Sequence, residues 1–253
     1  MRLSLADVST PDSAQLFVTC IVDAFYPQVG RAVVDVLEAR GVAVEFPKNQ
    51  TCCGQPAFNT GHLTEARAMA EHTITVLDAT NGPIVIPSGS CASMIIDHYE
   101  DLFDGDDALL AASRRVAARV REFTQFLVDD LGLEGLEASW PKPVTFHPSC
   151  HGLRHLGLGG YGERVLDHVG VDRRVLDGAE ECCGFGGLFA VEMPQISGSI
   201  MDTKLDNVEA SEAETLVGYD VSCLMHLGGG LHRRESEIEV RHIAEILAAE
   251  DDS

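Results

Sequence analysis

The chain has 253 residues, of which 45% are hydrophobic and 6% aromatic, an ordinary globular composition with enough length for one or two domains. It carries 40 acidic residues against 18 basic ones, so a nucleic-acid backbone or an anionic membrane surface would repel most of the molecule. We therefore expect no nucleic-acid partner.

The start of the chain shows no targeting signal. Residues 1–10 lack the apolar core of a secretory signal, and no apolar run approaches the ~20 residues of a membrane-spanning helix. We expect a cytoplasmic protein without direct membrane insertion. In that reducing compartment, the eight cysteines are expected to be metal ligands or redox groups rather than structural disulfides.

Strands and helices alternate along the first half of the chain. Apolar runs and helical periodicity predict strands at 15–21, 42–46 and 83–86, and helices at 28–40, 62–78 and 91–103. A long amphipathic helix is then predicted at 108–131, connecting the two halves, and the proline-containing stretch 139–143 marks a domain boundary.

The second half repeats this order of elements. Strands are predicted at 144–147, 174–176 and 215–218, and helices at 162–169, at 195–210 and from Cys223 onward. The alternation predicts an α/β fold of two duplicated domains with mostly parallel sheets, residues 1–138 including the connecting helix and residues 139–253.

The cysteines form an internal repeat with a period of about 130 residues. The spacing C-x31-CC-x37-C is followed by C-x31-CC-x39-C, and every cysteine in the chain belongs to one of the two quartets. The quartets are Cys20, Cys52, Cys53 and Cys91, then Cys150, Cys182, Cys183 and Cys223.

The cysteines fall at predicted strand ends and helix starts, which is the ligand-binding edge of an open α/β sheet. Because a helix N-terminus stabilises a thiolate, Cys91 and Cys223 are expected to deprotonate more easily than an ordinary thiol. Adjacent side chains of an extended chain point to opposite sides, so a doublet suits a multi-iron cluster better than one zinc ion, although zinc remains possible. Gly54 and Gly184 after the doublets permit the positive φ that would wrap the backbone around such a group.

Several segments together resemble a known family. They are Cys52-Cys53-Gly54-Gln55-Pro56-Ala57-Phe58-Asn59, Pro87-Ser88-Gly89-Ser90-Cys91, His147-Pro148-Ser149-Cys150-His151 and Cys182-Cys183-Gly184-Phe185-Gly186-Gly187. They are similar to the CCG, or cysteine-rich, domain of heterodisulfide reductase and of the iron–sulfur subunits of glycolate oxidase and anaerobic glycerol-3-phosphate dehydrogenase. Over nearly the whole chain the likeness is to the lactate utilisation protein A family, which has two such domains.

This resemblance implies an iron–sulfur electron-transfer subunit of a cytoplasmic complex that oxidises L-lactate to pyruvate. It implies one or two clusters, of the 4Fe-4S type, and partner subunits that include a ferredoxin-like iron–sulfur protein. The chain would be a non-autonomous part of an oxidoreductase, and no Gly-x-Gly-x-x-Gly turn suggests that it binds flavin or nicotinamide itself. The alternatives are a thiol–disulfide reductase subunit of the heterodisulfide type, a glycolate oxidase iron–sulfur subunit, and a zinc-stabilised binding module without redox chemistry.

The chain departs from the heterodisulfide reductase pattern where that family ends in Cys-x-x-Cys. Met94 and His226 stand at the second cysteine positions, so each half keeps four thiols, enough for a cubane cluster. The missing thiols place noncubane clusters and disulfide reduction in doubt. We expect Met94 to be a core residue, and His226 to ligate the metal or to shield it.

Three further features near the cysteines concern the surroundings of the metal. His147 and His151 flank Cys150 and are expected to donate hydrogen bonds to sulfur or to the chain rather than to ligate. Gly186, with Gly184, is expected to allow close approach of the backbone to the cofactor. Lys204 could offset the negative charge of a thiolate-ligated cluster, but we expect it to be solvated.

Overall fold

A computed structural model describes residues 11–249 of the chain. Residues 1–10, where the sequence predicts no targeting signal, lie outside this range. Among the residues that the structure describes, no helix is both long enough and apolar enough to cross a membrane.

The fold contains two parallel sheets of four strands each, one in each half of the chain. The first sheet is formed by β1 (Ser13–Leu16), β2 (Ala43–Glu45), β3 (Ile84–Ile86) and β4 (Val120–Glu122). The second is formed by β5 (Val144–His147), β6 (Arg173–Arg174), β7 (Thr215–Gly218) and β8 (Glu239–His242). The strand orders, β2-β1-β3-β4 and β6-β5-β7-β8, are equivalent, which confirms the duplicated α/β fold.

Helices lie between the strands in both halves. The first half contains α1 (Cys20–Phe25), α2 (Pro27–Ala39), α3 (Gln55–Asn59), α4 (Leu63–Asp78), α5 (Gly89–Ser93), α6 (Tyr99–Leu102), α7 (Asp107–Arg119) and α8 (Phe123–Gln125). The second contains α9 (Cys150–Arg154), α10 (Tyr161–His168), α11 (Phe189–Glu192), α12 (Pro194–Ala210), α13 (Val221–Arg233) and α14 (Ile243–Leu247). π-helical turns at Met94–His98 and Phe126–Asp130 follow α5 and α8.

The predicted connecting helix at 108–131 is wrong. The chain leaves the helical conformation at Val120, whose ψ of 135° is extended, and β4 then pairs with β3 before α8 begins. Apolar residues at 116, 120, 123 and 127 have helical spacing, but Val120 is the first residue of β4 and Phe123 the first of α8, and both are buried there. The periodicity therefore reflected burial on two different elements.

Smaller differences concern strand ends. β1 ends at Leu16 rather than at Ile21, because the Thr19 hydroxyl accepts a hydrogen bond from Val22 N–H at 3.4 Å and starts α1. β6 has two residues, and β8 was not predicted.

One of the hydrophobic clusters lies at the boundary and is shared by the two halves. It contains residues of both halves, among them Leu16, Phe126, Phe146 and Ile243. Helix α2 packs on α14, and α10 packs on α8, so each half contributes helices to the boundary. The division of the chain at residues 138 and 139 remains a prediction.

Candidate metal centre

All eight cysteines follow the carboxyl ends of strands. Cys20 begins α1 after β1, Cys52 and Cys53 lie between β2 and α3, and Cys91 lies in α5 after β3. The second half repeats this arrangement, with Cys150 beginning α9 after β5, Cys182 and Cys183 after β6, and Cys223 in α13 after β7. The parallel topology thus brings each quartet to one edge of its sheet.

The first quartet converges through its doublet. Cys52 Sγ lies 3.6 Å from Cys20 Sγ, and Cys53 Sγ lies 3.5 Å from Cys91 Sγ. The two thiols of the doublet also interact with each other. The adjacent side chains therefore do not diverge: each one reaches a different single cysteine, and all four sulfurs face one space.

The second quartet repeats the inner pair. Cys183 Sγ lies 3.0 Å from Cys223 Sγ, and Cys150 and Cys182 line the same cavity as these two residues. None of the eight cysteines, all of which lie in the described part of the chain, forms a disulfide. Each quartet is thus a group of free thiols with the reach to bind metal.

The two quartets open into a single cavity. This cavity, of about 110 Å³, is lined by all eight cysteines together with polar residues such as Gln55, His151 and Asp220. It lies at the boundary between the halves, so neither half forms it alone. Sequence spacing contains no signal for this convergence.

A glycine after each doublet allows the backbone to turn tightly against the helix that follows. Gly54 and Gly184 follow the doublets with φ of 86° and 91°, in the left-handed region that side chains disfavour. A Cβ on Gly184 would lie 2.6 Å from the Ser197 carbonyl oxygen. Gly186, with a φ of 54°, lines the cavity itself.

In the first quartet the thiols differ in acidity. Hydrogen bonds from Cys20 and Cys53 lower the pKa of Cys52 to about 3. The hydrogen bond to Cys52 and burial raise the pKa of Cys20, and burial also raises that of Cys53 after its hydrogen bonds to Cys52 and Cys91. One ionised sulfur is therefore held by protonated neighbours, and a bound metal would replace those protons.

The second quartet follows the same rule. Hydrogen bonds from Cys150 and Cys183 lower the pKa of Cys182 to about 2, and the Gly184 N–H contributes at 3.3 Å from Sγ. The expectation that Cys223 is unusually acidic is wrong. Its hydrogen bond with Cys183 lowers the pKa of Cys223, but burial and nearby negative charges raise it by more, so the net shift is upward.

His147 lies beside the second quartet with no partner for its ring. Its side chain is 1% exposed, and neither nitrogen has a hydrogen-bond partner among residues 11–249. One ring nitrogen and the sulfurs of Cys183 and Cys223 lie within 4.8 Å of one another. Burial, followed by the charge of Lys204, lowers the pKa of His147 to about 3, so the imidazole is neutral. A neutral buried imidazole is suited to metal ligation or to hydrogen bonding with sulfur.

His151 lines the cavity itself. Its Nδ1 lies 3.6 Å from Cys150 Sγ, and its Nε2 lies 3.4 Å from Gln55 Nε2 in the first half. Burial lowers the pKa of His151. This residue therefore connects the second quartet to the first half of the chain.

His226 and Met94 occupy equivalent positions with different surroundings. His226 Nε2 lies 3.3 Å from the Ser197 hydroxyl, which donates to the Gly184 carbonyl at 2.8 Å, so the ring lies behind the loop of the second doublet. His226 is not among the residues that line the cavity. Met94 is fully buried in the apolar cluster of the first half, as predicted.

Two buried polar residues had no signal in the sequence. Lys204, expected to be solvated, has no exposed surface, and its ammonium donates to the carbonyls of Gly178 and Ala179. Asp220 is 2% exposed and joins the halves through hydrogen bonds described below. Both lie on helical or capping positions that are usually exposed, so only the fold reveals their burial.

The fold and the eight converging thiols define a tandem cysteine-rich domain protein. Residues 14–96 and 144–228 each match the CCG family model, described as a cysteine-rich domain. The chain is 43% identical over 234 residues to Lactate utilization protein A 2 of a Bacillus cereus strain, covering 92% of this chain and 96% of the relative. It is 46% identical over 236 residues to Lactate utilization protein A of Geobacillus kaustophilus, covering 92% and 98%. The chain therefore belongs to the lactate utilization protein A family.

Proposed function

We propose that the protein is an iron–sulfur electron-transfer subunit of a cytoplasmic complex that oxidises L-lactate to pyruvate. The observation that carries this proposal is the convergence of all eight cysteines on one cavity. The names of the relatives, lactate utilization proteins, support the pathway assignment.

The donor set fits iron–sulfur clusters. Four thiols face each other in each half, and the left-handed glycines leave room where a side chain would collide with the backbone. Cys20, Cys52, Cys53 and Cys91 would hold the first group, and Cys150, Cys182, Cys183 and Cys223 the second. His226 does not line the cavity and would instead support the loop of the second doublet through Ser197. When bound, iron–sulfur clusters accept and release single electrons.

The chain itself supplies thiolates, a buried pocket and a neutral imidazole. Oxidation of L-lactate to pyruvate releases two electrons and two protons, and this sequence has no fingerprint for a flavin or nicotinamide that would take a hydride. We therefore propose that another subunit oxidises the substrate and that a ferredoxin-like iron–sulfur subunit exchanges electrons with this one.

Anaerobic purification followed by measurement of iron, acid-labile sulfide and zinc per chain tests the proposal. We expect iron and sulfide in equal amounts, a brown protein, and lactate oxidation only in the presence of partner subunits. A colourless protein that holds zinc and no sulfide would overturn it.

A zinc ion at one site is the second candidate. His147, Cys183 and Cys223 form a buried group whose ligand atoms lie within 4.8 Å of one another, and Cys and His are the usual ligands of structural zinc. The same metal analysis decides between the two candidates, because a protein with zinc at one site would contain half as much iron as a protein with iron–sulfur groups at both.

A further inference from the structure

The two quartets occupy equivalent places in the two sheets but have different surroundings, and the sheet register shows which residues correspond. In the first sheet Gln15 pairs with Ile84, and in the second Thr145 pairs with Leu216. Each of these pairs lies on the two central strands of its sheet. Two residues further along the chain from Gln15 and Thr145 stand Phe17 and His147. The ring beside the first quartet is therefore a phenyl group where the second quartet has an imidazole.

A second pair of equivalent positions lies on the long helices after the doublets. Ile74 on α4 follows Gly54 by 20 residues, and Lys204 on α12 follows Gly184 by the same number. Ile74 is 1% exposed and Lys204 is fully buried. An apolar side chain in the first half thus corresponds to a buried cation in the second.

The third pair is Met94 and His226, each three residues after the last cysteine of its quartet. Phe17, Ile74 and Met94 belong to one apolar cluster that also contains Cys53 and Cys91. The first quartet therefore lies against hydrocarbon and thioether groups at these positions. The corresponding three residues of the second quartet all carry nitrogen.

The buried cation lies against the segment that carries the second doublet. Its ammonium donates to the carbonyls of Gly178 and Ala179, four and three residues before Cys182. Its neighbours on α12, Met201 and Leu205, pack in one cluster with Cys183 and Cys223. Two carbonyl acceptors fit an ammonium group, which keeps the charge in place. His147 lies in the same region, since one of its ring nitrogens and the sulfurs of Cys183 and Cys223 lie within 4.8 Å of one another.

A positive charge and a nitrogen donor both favour the reduced form of an iron–sulfur group. Reduction adds one negative charge, which a nearby ammonium stabilises in a region of low dielectric constant. An imidazole raises the potential either as a neutral ligand in place of a thiolate or as an N–H donor to sulfur. An apolar enclosure has the opposite effect, because it disfavours added charge.

We infer that the two metal groups are inequivalent and that the second, beside His147 and Lys204, has the higher reduction potential. The inference rests on the proposed function, since it requires a redox-active group at each quartet. An electron would then pass from a group held by Cys20, Cys52, Cys53 and Cys91 to one held by Cys150, Cys182, Cys183 and Cys223, that is, from the first half to the second. Lys204 and His147 set the direction of this electron transfer, because they raise the reduction potential of the second group.

Redox titration of the full chain, followed by electron paramagnetic resonance, tests the inference. Cys53→Ser and Cys183→Ser identify which signal belongs to which half. Lys204→Met and His147→Phe remove the two groups, and Ile74→Met is the matched control at the equivalent position of the first half. In Lys204→Met we expect the second group to shift to a more negative potential by at least a tenfold change in its ratio of reduced to oxidised form, which is about 59 mV for a one-electron couple. The first group should titrate as in the wild type.

The outcomes separate the inference from the proposed function. Absence of any iron–sulfur signal in the wild-type protein contradicts the proposed function. Two contrary results would overturn the inference alone. One is a pair of signals with equal reduction potentials, and the other is a second signal whose potential is the same in Lys204→Met as in the wild type. Should His147→Phe fail to fold, Lys204→Met decides, since methionine fills a similar volume without a charge.

Discussion

Ser88 and Asp220 begin equivalent helices of the two halves and hydrogen-bond to each other across the boundary. The Ser88 hydroxyl donates to Asp220 Oδ2 at 3.1 Å, and the Ser90 N–H donates to the same oxygen at 2.8 Å. Each side chain also caps its own helix, Ser88 by accepting from Cys91 N–H and Asp220 by accepting from Ser222 N–H. This pair therefore fixes the helices that carry Cys91 and Cys223 relative to each other.

Asp220→Ala is expected to destabilise the protein by about 2–4 kcal/mol, since it leaves buried N–H and O–H donors of both halves without an acceptor. Asp220→Asn keeps an acceptor oxygen and should have a smaller effect. Urea unfolding measures both, with Asp104→Ala, at an exposed acidic position, as the control. Equal stability of Asp220→Ala and the control would show that the pair contributes nothing.

Gly184→Ala is expected to cost about 2 kcal/mol of stability, because alanine disfavours the left-handed backbone. The new Cβ would also meet the Ser197 carbonyl oxygen, so the second doublet should lose metal as well. Iron per chain and the unfolding midpoint report the two effects.

Gly198→Ala is the matched control for that substitution. Gly198 lies in α12 with open space around it, and alanine favours the helix, so we expect a gain of about 0.5–1 kcal/mol and unchanged iron. A Gly184→Ala protein that matched this control would rule out the proposed role of the glycine.

Glu122 should make stability depend on pH. Burial raises its pKa to about 8 from the ordinary value of 4.5, so the unfolded chain releases this proton at lower pH than the folded protein. The contribution of Glu122 to stability is therefore complete below pH 4.5 and is lost as the pH rises towards 8. The buried histidines His147 and His242 have lowered pKa values, and their effects are complete by pH 6.5.

The difference between the wild-type and Glu122→Gln urea midpoints, followed from pH 6.5 to about 8, isolates the contribution of Glu122, because the thiols and histidines that also titrate are common to both proteins. The wild-type midpoint should fall relative to that of Glu122→Gln, which keeps an oxygen for the N–H groups of Thr124 and Gln125. Glu65→Gln, at an exposed position, serves as the control and should follow the wild type. Parallel profiles for all three proteins would assign the pH dependence to other groups.

Cys53→Ser and Cys183→Ser test whether the two quartets bind independently. Each removes one sulfur of a close pair, with Cys91 at 3.5 Å and Cys223 at 3.0 Å respectively, and should abolish one metal group while the other remains. Iron per chain is expected to fall by half in either variant. Full iron in both would mean that these thiols are not ligands.

The repeated spacing of the cysteines predicted the quartets, because the distance from strand end to helix start is a local property of an α/β unit. The same local reasoning placed α2, α4, β5 and β7 within one or two residues of their observed bounds. It was wrong at residues 108–131, where one apolar stripe serves both α7 and the edge strand β4.

By itself, the sequence determined that the chain has two equivalent α/β halves with four thiols each, since the duplication and the strand–helix alternation depend only on local spacing along the chain. Only the tertiary structure decided that all eight sulfurs share one cavity, and that His147 and Lys204 are buried beside the second quartet alone. The physical reason is that packing of one half on the other sets which groups leave water. That packing depends on contacts such as Ser88 with Asp220, which lie 132 residues apart in the chain and leave no periodic pattern.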